Sequence, residues 1–330
     1  MSAHSAAPGR PPVRLTHILL VLAVLAGLFF SIRPQPVQAA PPQASGQPAE
    51  LRVLATTFPV YLFTRNVAHS RPYVRVELLI PAQAGCPHDY APTPLDLQKL
   101  AQAQVVVMNG LGLEEFLAAP LKKINAKVTV IDSSKGIDPL PLPRGMSPSP
   151  HAGHDHGNVN PHIFAGPRQA AAMVYNIAAG LARVDPQGAA AYRAAAEDYA
   201  ARLLSVGRRL AEVGACAPRK GIVLQHDALA YLVHDAGLEV MDVIQESEDV
   251  QPSAARLMEL VRRIREEKPV LIAGEPQYSD KPAQTLARET GVPAAQLDPV
   301  ASGPADAPLS YYETVMTANC KTLEHYFDPR

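Results

Sequence analysis

The sequence predicts an α/β protein: two lobes, each a mostly parallel sheet flanked by helices, joined by one long rigid helix. Three observations carry this expectation. Short runs rich in β-branched residues alternate with helical patterns over residues 51–132, and the alternation resumes over residues 221–298. An alanine-rich helical stretch separates the two blocks. A length of 330 residues suits about two domains.

Composition narrows the field. Prolines number 33, but eight fall in residues 1–50 and six in 139–161, which places two loose segments around packed protein rather than disorder throughout. The formal net charge of −1 leaves no global positive excess, and no local basic patch offers a nucleic-acid surface. Residues 1–39 read as a signal peptide. Arg10 and Arg14 precede an uncharged run, residues 18–32, and a Val37-Gln38-Ala39 cleavage pattern follows. Fifteen apolar residues fall short of the roughly 20 that span a bilayer. Export, to a periplasmic location, is the expectation. In an oxidising compartment Cys216 and Cys320 are candidates for a disulfide, with Cys86 the odd thiol.

After a linker at residues 40–50, strands are expected at 51–57, 74–80, 104–110 and 127–132, with helices at 59–68 and 93–103. Pro94 suits a first helical turn. These elements form an N-terminal lobe, residues 51–166, which contains a proline-, glycine- and histidine-rich loop at 136–161. Residues 167–214 are the connecting helical segment. It is interrupted near Asp185-Pro186-Gln187-Gly188, after which 189–213 reads as one helix roughly 37 Å long. The C-terminal lobe, residues 215–330, carries expected strands at 221–226, 238–244, 269–275 and 294–298 and helices at 251–268, 281–290 and 311–327.

Placement singles out three histidines and one carboxylate. His88 lies in the loop after the second strand, His162 follows the histidine-rich loop, His226 ends a strand, and Asp298 ends the last one. Ligands of open α/β sheets bind beyond the carboxyl ends of the strands. Three imidazoles and a carboxylate make an N3O set suited to zinc and other borderline divalent ions. A histidine taken singly in such a place serves structure more often than a metal, and His69, His234 and His325 are read as solvated or hydrogen-bonded.

The motifs add a family. Pro87-His88-Asp89-Tyr90-Ala91-Pro92-Thr93-Pro94 resembles the P-H-x-Y-E-P-T-P signature of zinc- and manganese-binding proteins that serve bacterial ABC importers. Asn160-Pro161-His162 resembles that family's D-P-H, and His226-Asp227-Ala228 its H-D-A. Glu275-Pro276-Gln277 and Leu297-Asp298-Pro299 resemble its E-P-Q and L-D-P. The five motifs occur in the family's order over residues 51–327. The resemblance implies two α/β lobes with the metal held in the cleft between them by His88, His162, His226 and Asp298. Three departures bear on the outer shell: Cys86 replaces an acid or small polar residue, Ala91 a glutamate, and Asn160 an aspartate.

His151, His154 and His156 form an auxiliary cluster in the loop, with weak metal binding as one reading and a polar linker as the other. In the resembling family a histidine-rich loop here accompanies zinc. The expected function is therefore an exported carrier that captures Zn(II) as a transported ligand and delivers it to an ABC permease, acting as a monomer. A Mn(II) carrier is the close variant. An exported zinc hydrolase with Glu275 as base is the alternative class. Against it, the chain has neither H-E-x-x-H nor a nucleophile elbow, so Glu275 is assigned beside the ligands or between the lobes instead. An adhesive or purely structural surface protein is a third reading without specific support.

Overall fold

The computed structural model describes residues 49–85, 87, 90–143, 159–245 and 251–327. Residues 1–39, read above as a signal peptide, and Cys86, His88 and the cluster His151, His154 and His156 lie outside the described residues.

The first sheet contains β1 (Leu51–Ala55), β2 (Val74–Leu78), β3 (Val105–Met108) and β4 (Thr129–Asp132), in the order β2-β1-β3-β4 and all parallel. The second contains β5 (Gly221–Leu224), β6 (Glu239–Val243), β7 (Leu271–Gly274) and β8 (Ala294–Gln296), in the order β6-β5-β7-β8 and again all parallel. The two halves thus repeat one winding. In each, strand order reverses beside the first strand, between β1 and β3 and between β5 and β7, the switch points where open sheets leave a crevice.

Side-chain alternation explains the layering. Val53, Ala55, Val105 and Val107 of the first sheet share one continuous core with Ile222, Leu224, Leu271 and Ala273 of the second. The intervening residues turn the other way. Leu54 and Val106 pack in a separate cluster with Leu100 and Leu117, and Val223 and Ile272 in another with Leu260, Ile264 and Leu286. Successive strand residues point to opposite faces, so each sheet is apolar on both and each face is covered.

The helices are α1 (Phe58–Ala68), α2 (Pro94–Gln102), α3 (Ala118–Ile124), α4 (Pro167–Val184), α5 (Ala189–Cys216), α6 (Ala230–Asp235), α7 (Ala254–Glu267), α8 (Lys281–Thr290) and α9 (Tyr311–Phe327). α2 begins with a capping box, Thr93 and Asp96 exchanging bonds, and Pro94 sits in its first turn. α3 and α6 were not expected. At seven and six residues they are too short to show helical periodicity. α4 and α5 form a hairpin. Asp185 fixes its turn by accepting from the Tyr73 and Tyr192 hydroxyls, both at 2.8 Å, and from Arg71 at 3.1 Å. α5 runs 28 residues, roughly 42 Å at 1.5 Å per residue, and packs on α1, α4 and α9. α9 also touches α1, where Phe63 and Tyr312 meet edge to face at 5.1 Å.

One expectation fails. Cys216 and Cys320 are free thiols, the first exposed and the second buried. Arg202 of α5 pairs with Glu313 of α9 at 2.8 Å, and Arg209 with Glu324 at 2.5 Å, so the two helices run side by side in the same direction. Cys320 lies between the levels of these pairs. Cys216 lies seven residues beyond Arg209, about 10 Å further along the axis, which exceeds the roughly 7 Å that a disulfide can bridge. Burial pushes the Cys320 thiol up to about 11, so it packs as an apolar group.

Candidate metal centre

β5 delivers the first candidate ligand. Gln225 continues the sheet by donating its N–H to the Ala273 carbonyl, and the chain then turns at His226 into a single 3-10 turn, Asp227–Leu229. His226 caps that turn, its Nδ1 accepting from the Ala228 N–H at 3.3 Å. Asp227 follows at once and is 2% exposed. Across from it lies His162, 1% exposed, on the short segment that precedes α4.

His162, His226 and Asp227 offer ligand atoms that all lie within 4.8 Å of one another. Asp227 Oδ1 is 3.3 Å from His162 Nδ1 and 3.2 Å from His226 Nε2, and the two imidazole rings stand 5.3 Å apart at 79°. Among the described residues Asp227 Oδ1 accepts no hydrogen bond. Neither imidazole aligns a hydrogen bond on that buried oxygen, an arrangement that is costly to keep and that a cation relieves. The donor chemistry, imidazole and carboxylate, fits a borderline divalent ion.

Asn160 decides the tautomer of His162. Its Nδ2 donates to the Asp227 carbonyl at 2.8 Å, and its Oδ1 accepts from the His162 backbone N–H at 2.9 Å. These two bonds fix which end of the amide is oxygen. Oδ1 also lies 2.8 Å from His162 Nδ1, so Nδ1 is the protonated nitrogen and Nε2 keeps the lone pair for a metal. The asparagine therefore orients the imidazole without carrying a charge.

The segment carrying these residues is fastened to α6. The Tyr231 hydroxyl donates to the Asn160 carbonyl at 2.7 Å and accepts from the Leu140 N–H at 2.8 Å. Burial pushes that hydroxyl up to about 12, so it stays a donor. At the other end of α6, Asp235 accepts from the Arg168 N–H at 2.9 Å, satisfying one of the open amides at the start of α4.

The other expected residues are placed as follows. Asp298 follows β8 and is half-buried. Its Oδ1 accepts from the Val300 N–H at 2.7 Å, and its backbone exchanges two bonds with the Asn319 side chain. Burial holds its carboxyl above the usual range. It is not one of the three groups gathered within 4.8 Å. Glu275 follows β7, is 2% exposed and receives the Gln277 amide at 2.6 Å. Its turn brings the Tyr278 ring to 5.8 Å from that of His226. His69, His234 and His325 are exposed. The sequence pattern places Asp227 inside the His226-Asp227-Ala228 motif without assigning it to the metal. An acid directly beside a candidate histidine was the available signal.

Comparisons with known proteins give the chain a family. The chain is 31% identical over 319 residues to the zinc-binding lipoprotein AdcA of Streptococcus pneumoniae, covering 94% of this chain and 61% of AdcA. It thus spans about three-fifths of that relative's length. The zinc-bound crystal structure of AdcA superposes with a TM-score of 0.70 at 30% identity, covering 86% of this chain and 59% of AdcA. The high-affinity zinc uptake system protein ZnuA of Bacillus subtilis is 29% identical over 276 residues, 82% of this chain and 85% of ZnuA. FpvC of Pseudomonas aeruginosa, solved in complex with Mn2+, gives a TM-score of 0.72 at 26% identity, covering 84% of this chain and 98% of FpvC. The model of the ZnuA family, the periplasmic component A of zinc-uptake complexes, matches residues 53–326, and the chain belongs to that family.

Proposed function

We propose that the protein is an exported carrier that captures Zn(II) and delivers it to an ABC-type permease. The observation that carries this is the buried trio of two imidazoles and a carboxylate whose ligand atoms lie within 4.8 Å of one another. His162 and His226 are ligands, completed by His88 and by the carboxylate of Asp298, with Asp227 facing both imidazoles. The two lobes, residues 51–166 and 215–330, move relative to each other about the helical segment 167–214 to take up and release the ion. An imidazole-rich set favours zinc over a harder ion. The relatives named as zinc-binding support the same choice. The histidine-rich loop, with His151, His154 and His156, supports it as an auxiliary collector.

A manganese carrier is the second reading, favoured by the likeness to FpvC in complex with Mn2+. Competition separates the two. Calorimetric zinc titration, repeated with excess Mn(II), is expected to show one tight site that Mn(II) does not displace and that His226→Ala weakens. Displacement by equimolar Mn(II) would favour the second reading. A tight site untouched by His226→Ala would overturn both. Because bound imidazoles must be deprotonated, affinity is expected to fall as pH drops below about 6.5.

A further inference from the structure

The switch point of the first sheet carries a buried carboxylate that the metal site does not use directly. Glu114 is 1% exposed. It accepts the Thr56 hydroxyl at 2.6 Å, the Asn109 N–H at 2.6 Å and the Gly110 N–H at 3.1 Å. These donors stand just beyond β1 and β3, so one side chain ties both strand ends. Gly110 takes φ +91°, and a Cβ there would collide with Asp132 and Ser134, so only glycine allows the turn.

Asn109 projects from this turn towards the metal centre. Both hydrogens of its amide are used, on the Gly110 carbonyl at 3.0 Å and on the Pro161 carbonyl at 2.9 Å, and two carbonyl partners fix the amide's orientation. The Ser133 hydroxyl donates to the Met108 carbonyl at 2.7 Å and lies 3.2 Å from that of Asn109. The Pro161 carbonyl also accepts the Ile163 N–H at 2.8 Å, closing a three-residue turn whose centre is His162, at φ −78° and ψ 41°. Those angles lie close to the inverse γ-turn. Proline has no N–H, so its carbonyl is the only main-chain handle at that position.

We infer that Asn109, held in place by Glu114, is a positioning residue for His162: it pins the carbonyl of the turn that aims the imidazole. The inference rests on the reading of His162 as a metal ligand. Asn109 joins the end of β3 to a histidine whose neighbour Asn160 is tethered to the second lobe through Tyr231 and the Asp227 carbonyl. The second lobe thus holds Asn160 while Asn109 holds the adjoining turn, and a shift between them is transmitted to the imidazole through Pro161.

A double-mutant cycle on the full chain tests this, with zinc affinity read by chelator competition and folding checked by thermal melting. Asn109→Ala is expected to weaken zinc binding about tenfold, the lower end for loss of an outer-shell partner. In the His162→Ala background the same change is expected to alter affinity by less than about twofold. Equal losses in both backgrounds, or no loss in the wild-type background, would overturn the inference. If His162→Ala alone leaves affinity unchanged, the metal-ligand reading fails first, and the two failures are distinct. Should Asn109→Ala not fold, Glu114→Gln carries the same cycle, with the same pattern at smaller amplitude.

Discussion

The two sheets share one winding but present opposite chemistry at their switch points. Beyond β1 and β3 the crevice is filled from within, since Glu114 consumes the strand-end amides and the Thr56 hydroxyl. Beyond β5 and β7 stand two groups suited to a ligand, His226 and Asp227, with Glu275 beside them. One topology thus carries a structural plug beyond the first sheet and two candidate ligand groups beyond the second. Topology tells where a site can be, and the donor atoms tell which of the two positions suits a metal.

The largest expected effect breaks the second region. His226→Ala removes one of two gathered imidazoles and is expected to weaken zinc by at least about a thousandfold, beyond the ten- to hundredfold typical of outer-shell changes. Chelator competition would show it, and a loss under tenfold would contradict the assignment.

The next prediction concerns the plug. Burial raises the Glu114 carboxyl from 4.5 to about 7, against the hydrogen bonds from Thr56, Asn109 and Gly110, and Asp132 nearby adds to the rise. The folded state therefore binds this proton more tightly than the unfolded chain. Stability associated with the group is full below about pH 4.5 and is lost as pH rises to about 7, by up to about 3 kcal/mol. Glu114→Gln is expected to flatten that part of the apo protein's pH–stability curve, measured by denaturant unfolding. An unchanged slope would show that Glu114 titrates normally.

Asn160→Ala is expected to weaken zinc about ten- to hundredfold by releasing the His162 tautomer, whereas Asn160→Asp keeps the acceptor for His162, loses the donor to the Asp227 carbonyl, and is expected to weaken zinc less than Asn160→Ala. Equal losses in both would place the effect in packing. The smallest effect concerns the thiols. Cys216 is expected to react readily with a thiol reagent while Cys320 reacts only on unfolding, and a peptide map showing them joined would contradict the parallel packing of α5 and α9.

Much of the fold was legible because β-branched runs such as Val105-Val106-Val107 are short, continuous and bounded by polar residues, the pattern of strands buried on both faces. The helices Lys281–Thr290 and Tyr311–Phe327 match their expected bounds. α3 and α6 escaped notice because six or seven residues hold no period. At the site, His162 and His226 were visible from their places after loops and strands. Asn109 was not, since its bond to Pro161 spans 52 positions and nothing local marks it. The rejected Cys216–Cys320 pair shows the same limit, because composition and compartment carry no distance.

The most direct test is zinc X-ray absorption on the loaded protein, wild type against His226→Ala. At least two imidazoles in a shell of nitrogen and oxygen, one of them lost in the variant, is the expected result. A sulfur neighbour, or a wild-type shell with fewer than two imidazoles, would contradict a site built on His162 and His226.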